Sequence, residues 1–340
     1  MSLTYLSTLQ FDDGWLAALR SAVPGLAVHQ VPAATAAEVP AELWGRVDVL
    51  HTATALPDPG EAPRLRLVQL DTAGVDHVAG TALWRSDIPI ASLGGIAGVP
   101  MAEYVLMSVL ALAHRVPALL AARAAHDWAP TPDRLRVFTP RALPGSTMLV
   151  VGYGRIGREV ARLARAFGIE VIGVRRRVDG PRGHVDGTVA GEVGPPDPGG
   201  PVRLVSLDQL SDVLPLADHV VVLLPSTPAT WGCVDSAAIA LLRPGATVVN
   251  ASRGGIVDTA ALVAAVHAGR LAGAALDVFD VEPLPATDPL WDDPHILLTP
   301  HVAGFAPRYA EGVAQLVTDN LRRLVAGRPL LNLVDRESGY

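Results

Sequence analysis

The sequence predicts an α/β protein built on two doubly wound parallel sheets, and three observations predict it. Short apolar runs alternate with amphipathic ones through the first hundred residues and again after residue 143. That alternation marks βα units. At 340 residues the chain is long enough for two domains, each burying its own core. Finally, "GYGRIG" (152–157) lies between the apolar run "MLVV" and a stretch where Ile156, Val160, Leu163, Ala164 and Phe167 recur at helical spacing.

The strand-like runs of the first half are "LTYLSTL", "RVDVLHT", "RLRLVQLDTAG" and "IPIASLGG", with a helix near Gly14 to Val23. Val99 to Ala125 is the longest apolar stretch. Glu103, His114, Arg115 and Pro117 interrupt it, and a membrane span of about 20 residues tolerates such charges badly. It is read as one buried helix of a soluble protein. From Pro117 to Leu143 the pattern lapses into prolines and polar residues, which reads as a connection between two halves. Alternation resumes with "HVVVLLP", "ATVVNAS", a helix over Thr259 to His267, "LAGAALDVF" and "HILLTPH", and Ala306 to Val325 is again helical. Gly or Pro fills 12 of the 22 positions from Gly180 to Pro201, which predicts a mobile loop.

Half the residues are hydrophobic and 18% are charged, the balance of a globular chain. All 27 basic residues are arginine, and the formal net charge of -7 argues against a nucleic-acid partner, which needs a basic face. The single cysteine, Cys233, forms no internal disulfide, and the first residues lack the pattern of a signal peptide. A cytoplasmic location is the default expectation.

With 32 glycines a GxGxxG match is weak by itself, but one that closes a strand and opens a helix is the dinucleotide-binding arrangement. Gly152 permits the tight turn, Gly154 the approach of a pyrophosphate, and Gly157 close helix–strand packing. Tyr153, Arg155 and Ile156 complete the loop, whose helix N-terminus favours anions. The residue ending the next strand, about 20 positions on, selects the cofactor: an acid binds the ribose hydroxyls of NAD, and arginine accommodates the 2′-phosphate of NADP. That place falls at Arg175 in "GVRRRVDG". Arg175 and Arg176 therefore predict NADP(H) as the preferred cofactor, with NAD(H) the alternative. Arg177 is expected to face solvent, and Asp179 is the rival ribose ligand.

"NASRGGIVD", "LDVFDVEP" and "LLTPHVAG" then follow in order, each at the end of an apolar run. With the glycine motif they make the chain resemble the D-isomer-specific 2-hydroxyacid dehydrogenases, from about Leu65 onward. The resemblance implies two Rossmann-like or flavodoxin-like domains, a substrate domain of 1–98 plus 300–340 and an NAD(P)-binding domain of 99–299, with the active site in the cleft between them. It implies catalytic roles for Arg253, Glu282 and His301. Arginine offers a planar fork for a carboxylate. Histidine can give a proton to a carbonyl oxygen, and a hydrogen-bonded glutamate favours its charged form. The resemblance also assigns Pro225, Thr227 and Ala251 to the cofactor, Asp277 to its carboxamide, and the amides of Ala73, Gly74 and Val75 to the substrate carboxylate, which Arg253 and His301 also meet. Asp258, ahead of "TAALVAAV", is read instead as a helix N-cap.

No metal ligand is assigned. A homodimer through the 99–125 helix is implied. Where many members carry threonine or serine shortly after the histidine, this chain has "GFAP", with Phe305 and Ala306, a change on the substrate side. Glu282 separates it from formate dehydrogenases, which use glutamine there. No regulatory domain follows the last helix, which argues against the longer phosphoglycerate dehydrogenases but leaves short ones as an alternative. Two other readings share the scaffold: a dinucleotide-sensing corepressor, and a hydrolase with a built-in dinucleotide. The arginine, glutamate and histidine set speaks against the hydrolase; the corepressor stays as an alternative to a glyoxylate/hydroxypyruvate reductase-like 2-ketoacid reductase, and predicts recruitment of peptide partners with little turnover.

Overall fold

The computed structural model describes residues 3–176 and 202–340. They divide into two compact units, 3–96 with 307–340 and 97–176 with 202–306. Each holds one parallel sheet.

In the first unit the strands are β1 (Thr4–Ser7), β2 (Ala27–Gln30), β3 (Val49–Thr52), β4 (Leu67–Leu70) and β5 (Ile90–Ala91), in the order β2-β1-β3-β4-β5. Helices α1 (Asp13–Ala22), α2 (Ala41–Trp44) and α3 (Ala82–Arg85) connect them. Helix α1 starts where the Asp12 side chain accepts the Trp15 amide at 2.7 Å. Because strand side chains alternate, Tyr5, Val49 and Leu67 fill one core, and Leu6, Leu50 and Val68 fill the other.

The second unit contains β6 (Thr147–Val151), β7 (Glu170–Arg175), β8 (Arg203–Ser206), β9 (His219–Val222), β10 (Thr247–Asn250), β11 (Gly273–Leu276) and β12 (Ile296–Leu298). Their order is β12-β11-β10-β9-β6-β7-β8. The helices are α4 (Gly98–Ala113), α5 (Val116–Ala124), α6 (Thr131–Phe138), α7 (Arg155–Ala166), α8 (Leu210–Val213), α9 (Ser236–Leu241) and α10 (Thr259–His267). The central strands are buried along their length, as a sheet covered on both faces requires. The last helix, α11 (Tyr309–Val325), belongs to the first unit, where Val313, Leu316, Val317 and Leu321 pack on the Tyr5 face.

Strand order reverses between β1 and β3 in one sheet and between β6 and β9 in the other. Ligands of such sheets bind beyond the carboxyl ends of the strands at these switch points. Both candidate loops lie there: the glycine turn follows β6, and Leu223 to Thr227 follow β9.

The structure corrects several sequence expectations. Val99 to Ala125 is two helices, because Arg115 takes a left-handed conformation (φ 58°) and α4 and α5 meet at a 65° bend. Only α4 is buried in the core; α5 has no buried residue. No single helix among the described residues is long and apolar enough to cross a membrane. The supposed connection of 117–143 contains α5 and α6, each carrying its proline in the first turn, where the missing N–H costs no hydrogen bond. Residues 300–306 belong to the second unit, not to the substrate domain expected from residue 300 onward, because Asp277 anchors their backbone. Helix α11 starts at Tyr309 rather than Ala306. Arg177, Asp179 and the whole of the Gly/Pro-rich 180–201 stretch lie outside the described residues.

Candidate active site

His301 follows β12 with φ 53°, a left-handed conformation uncommon for residues other than glycine. Its amide donates to the Asp277 carbonyl at 2.8 Å. Its Nδ1 lies 2.6 Å from Glu282 Oε2, while Glu282 Oε1 accepts the Phe279 amide at 2.9 Å. A carboxylate only accepts, so Nδ1 carries the proton and Nε2 is left for chemistry. Nε2 meets no partner among the described residues, and the side chain is 45% exposed.

Asp277 directly follows β11 and is 1% exposed. Its Oδ1 accepts Thr299 Oγ1 at 2.6 Å and the Val302 amide at 2.9 Å; its Oδ2 accepts the Ala303 amide at 2.9 Å. Burial pushes the Tyr104 phenol above its ordinary value. Tyr104 therefore donates to Thr299 Oγ1 at 2.6 Å, since the Thr299 proton goes to Asp277. This chain fixes the loop on which His301 stands. A carboxylate has about four acceptor positions, and Asp277 uses three of them here. Thr299 stands inside the "LLTPHVAG" run and Tyr104 on α4, but the sequence reading gave neither a role, because no spacing shows that Thr299 meets Asp277 and Tyr104 meets Thr299.

The Arg253 loop follows β10. Asn250 is 1% exposed, and its Oδ1 accepts the Ser252 amide and hydroxyl at 3.2 and 2.5 Å. Arg253 Nη1 donates to the Ser252 carbonyl at 2.8 Å. A Cβ on Gly254 would stand 2.1 Å from the Phe279 carbonyl oxygen, and the Gly255 amide donates to Asp280 Oδ1 at 2.6 Å. The glycine pair thus lets the arginine loop lie against the carbonyl of Phe279, the residue whose amide bonds Glu282. Ala251 is buried, its amide held by the Val222 carbonyl. Asp258 caps α10, accepting the Ala261 amide at 2.9 Å, as its position predicts.

A Cβ on Gly152 (φ 109°) would come within 2.7 Å of the Leu223 backbone, and one on Gly157 would meet the Gly152 carbonyl at 2.7 Å. Protein packing accounts for both glycines. Gly154 differs: a Cβ there would meet nothing within 4 Å. It caps α7, whose first-turn amides have no partner within the helix. An open, donor-lined helix start fits the diphosphate of a dinucleotide. Tyr153 packs its ring over Gly173 of β7, and Ile156 packs against the α4 core. Arg175 is the last residue of β7, half-buried, and Arg176 is exposed. Beside β9, buried Thr230 organises the loop of Pro225 and Thr227: its hydroxyl donates to the Pro225 carbonyl at 2.6 Å and accepts the Thr227 amide at 2.9 Å.

In the first unit the Thr72 hydroxyl donates to the Gly74 carbonyl at 2.7 Å, rounding the turn after β4. The amides of Ala73, Gly74 and Val75 donate to no acceptor among the described residues.

The family model for the NAD binding domain of D-isomer specific 2-hydroxyacid dehydrogenases matches residues 106–193 and 197–303. The chain belongs to this family. A D-3-phosphoglycerate dehydrogenase of Mycobacterium bovis is 34% identical over 275 residues, 78% of this chain and 46% of the relative. The chain therefore spans about half the length of that relative. A D-isomer specific 2-hydroxyacid dehydrogenase of Xanthobacter autotrophicus Py2, solved in complex with NADPH and MES, superposes with a TM-score of 0.80 at 32% identity, covering 100% of both chains. An NADPH-dependent glyoxylate/hydroxypyruvate reductase of Sinorhizobium meliloti, solved with NADP and sulfate, gives 0.76 at 28% identity, again over 100% of both. Family membership and the two parallel-sheet domains agree with the sequence reading.

Proposed function

We propose that this 2-hydroxyacid dehydrogenase family member is an NADP(H)-preferring reductase of small 2-keto acids, of the glyoxylate/hydroxypyruvate kind. The observation that carries the reading is the His301–Glu282 pair, with Nδ1 bound at 2.6 Å and Nε2 without a partner among the described residues. Gly152 to Gly157, Pro225, Thr227 and Ala251 would hold a dihydronicotinamide cofactor, which would supply the hydride. Arg253 holds the substrate carboxylate and polarises the carbonyl, assisted by the amides of Ala73, Gly74 and Val75. Protonated His301 donates from Nε2 to the carbonyl oxygen, completing the 2-hydroxy acid, and Glu282 keeps the ring oriented and its charge balanced. The remaining acceptor position of Asp277 is assigned to the nicotinamide carboxamide.

The NADP preference rests on Arg175 and Arg176, where an acid would repel a 2′-phosphate. The NADPH complexes of similar proteins support it. The reading includes a cytoplasmic homodimer formed through α4 and α5, whose Met107, Leu119 and Leu120 are exposed and apolar. A short phosphoglycerate dehydrogenase is the second reading, favoured by likeness to the Mycobacterium bovis enzyme. The test is a panel of glyoxylate, hydroxypyruvate, phenylpyruvate, branched 2-keto acids and 3-phosphohydroxypyruvate with NADPH and NADH. Turnover of glyoxylate or hydroxypyruvate with higher kcat/KM for NADPH is expected. No oxidation of either cofactor with any of them overturns the reading.

A further inference from the structure

The first unit contains a second histidine–carboxylate pair with no part in the chemistry above. His51 on β3 is fully buried; its Nε2 lies 3.0 Å from Asp71 Oδ1 and its Nδ1 2.7 Å from the Tyr5 hydroxyl. Burial, then the charge of Asp71, pushes the Tyr5 phenol well above its ordinary value. Tyr5 stays protonated and shares a hydrogen bond with Nδ1, and because a carboxylate only accepts, Nε2 carries a proton and donates to Asp71. Phe11 stacks on the ring at 5.3 Å. Asp71 is thus a fixed carboxylate just beyond β4, near the switch point of its sheet and directly ahead of the turn whose amides face no acceptor among the described residues. Its side chain is 26% exposed, and no hydrogen bond engages Oδ2 among the described residues. Tyr309 of α11 also feels the Asp71 charge.

We infer that Asp71 determines specificity: Oδ2 accepts from an O–H or N–H on the side chain of the 2-keto acid, and its charge disfavours side chains that end in an anion. The inference rests on the proposed reductase reading, in which the Ala73–Val75 amides take the carboxylate end of the substrate. The neighbouring amides suit an anion and Asp71 repels one, so the two ends of a substrate are told apart. A fully buried histidine, held at its other nitrogen by a buried phenol, keeps the carboxylate in place.

The experiment compares kcat/KM for glyoxylate, hydroxypyruvate, 2-oxobutanoate and oxaloacetate. Hydroxypyruvate and 2-oxobutanoate differ by a hydroxyl against a methyl, and oxaloacetate adds a carboxylate. A hydrogen bond to a charged acceptor is worth about 10- to 100-fold, so the wild type is expected to favour hydroxypyruvate over 2-oxobutanoate by that ratio. Asp71→Ala should bring the ratio near unity, and Asp71→Asn should raise oxaloacetate relative to hydroxypyruvate. A general loss of folding lowers all substrates together and leaves these ratios unmoved. A wild type that accepts 2-oxobutanoate or oxaloacetate as well as hydroxypyruvate overturns the inference even if no variant folds. So do unchanged ratios in both variants. Glyoxylate has no side chain and separates the two claims: glyoxylate reduction without discrimination defeats the role of Asp71 alone, and no reduction of any of the four defeats the reductase reading and this inference with it.

Discussion

His301 and His51 are each bound to a carboxylate at hydrogen-bond distance, one in each unit, yet they sit in opposite surroundings. His301, on a left-handed turn, keeps Nε2 without a partner among the described residues; His51 has both nitrogens engaged and no exposure. A histidine that is to move a proton needs one nitrogen left open to a reactant, whereas one that fixes a neighbour uses both. Pairing with an acid does not distinguish the two. The second nitrogen does.

That contrast is sharpened first by the largest expected effect. His301→Ala should lower kcat by about 10² to 10⁴, the range for a positioned acid, in steady-state reduction of a 2-keto acid. Arg253→Lys should raise KM and lower kcat together, by about 10-fold or more overall, because lysine cannot reproduce the fork. A defect confined to cofactor affinity would remove the carboxylate clamp from the account. The Arg175→Ala, Arg176→Ala double variant should lose about 10-fold or more of its NADPH preference, each charge-assisted bond being worth about 1.5 to 3 kcal/mol. Retained NADPH affinity would return both arginines to a solvated strand end.

Smaller effects test a third histidine, which pairs with no acid. His219 donates to or accepts from Thr247 Oγ1 at 2.8 Å, and burial lowers its pKa from 6.5 to about 4. The fold binds this histidine neutral, so its contribution is complete above pH 6.5 and is lost as the pH falls towards about 4. At full effect this is about 3 kcal/mol. Denaturant unfolding across that window should show the loss in the wild type and less of it in His219→Leu. Smallest of all, burial pushes the Cys233 thiol up to about 11, so alkylation by iodoacetamide at neutral pH should be slow until the chain unfolds.

Much of the second unit was legible in the sequence, because dinucleotide chemistry requires a particular residue type at each position. The structure gives Gly152 and Gly157 a packing reason and leaves the space at Gly154 open, and the Asp258 cap follows from its place before an apolar run. The break at Arg115 was not legible: apolar periodicity continues through it, and a left-handed arginine has no compositional mark. Pro117 and Pro132 read as breakers but stand in helical first turns, where proline is tolerated. Asp277 was legible as a motif residue, but not its bonds to Thr299, Val302 and Ala303, which carry residues 300–306 into the second unit. Tyr5 and His51 come from two strands and Asp71 directly follows a third, and no spacing announces them. They meet because parallel pairing sets Tyr5 beside Val49 and His51 beside Gln69, and alternation turns them to one face.

The division of labour between the two histidines is tested most directly by measuring kcat and the thermal midpoint for His301→Ala and His51→Ala side by side. The account predicts that His301→Ala melts with the wild type while its turnover collapses. It predicts a lowered midpoint for His51→Ala, because Tyr5 and Asp71 lose their shared partner in the core. Near wild-type turnover in His301→Ala, or a loss of turnover matched by a loss of folding, would contradict it.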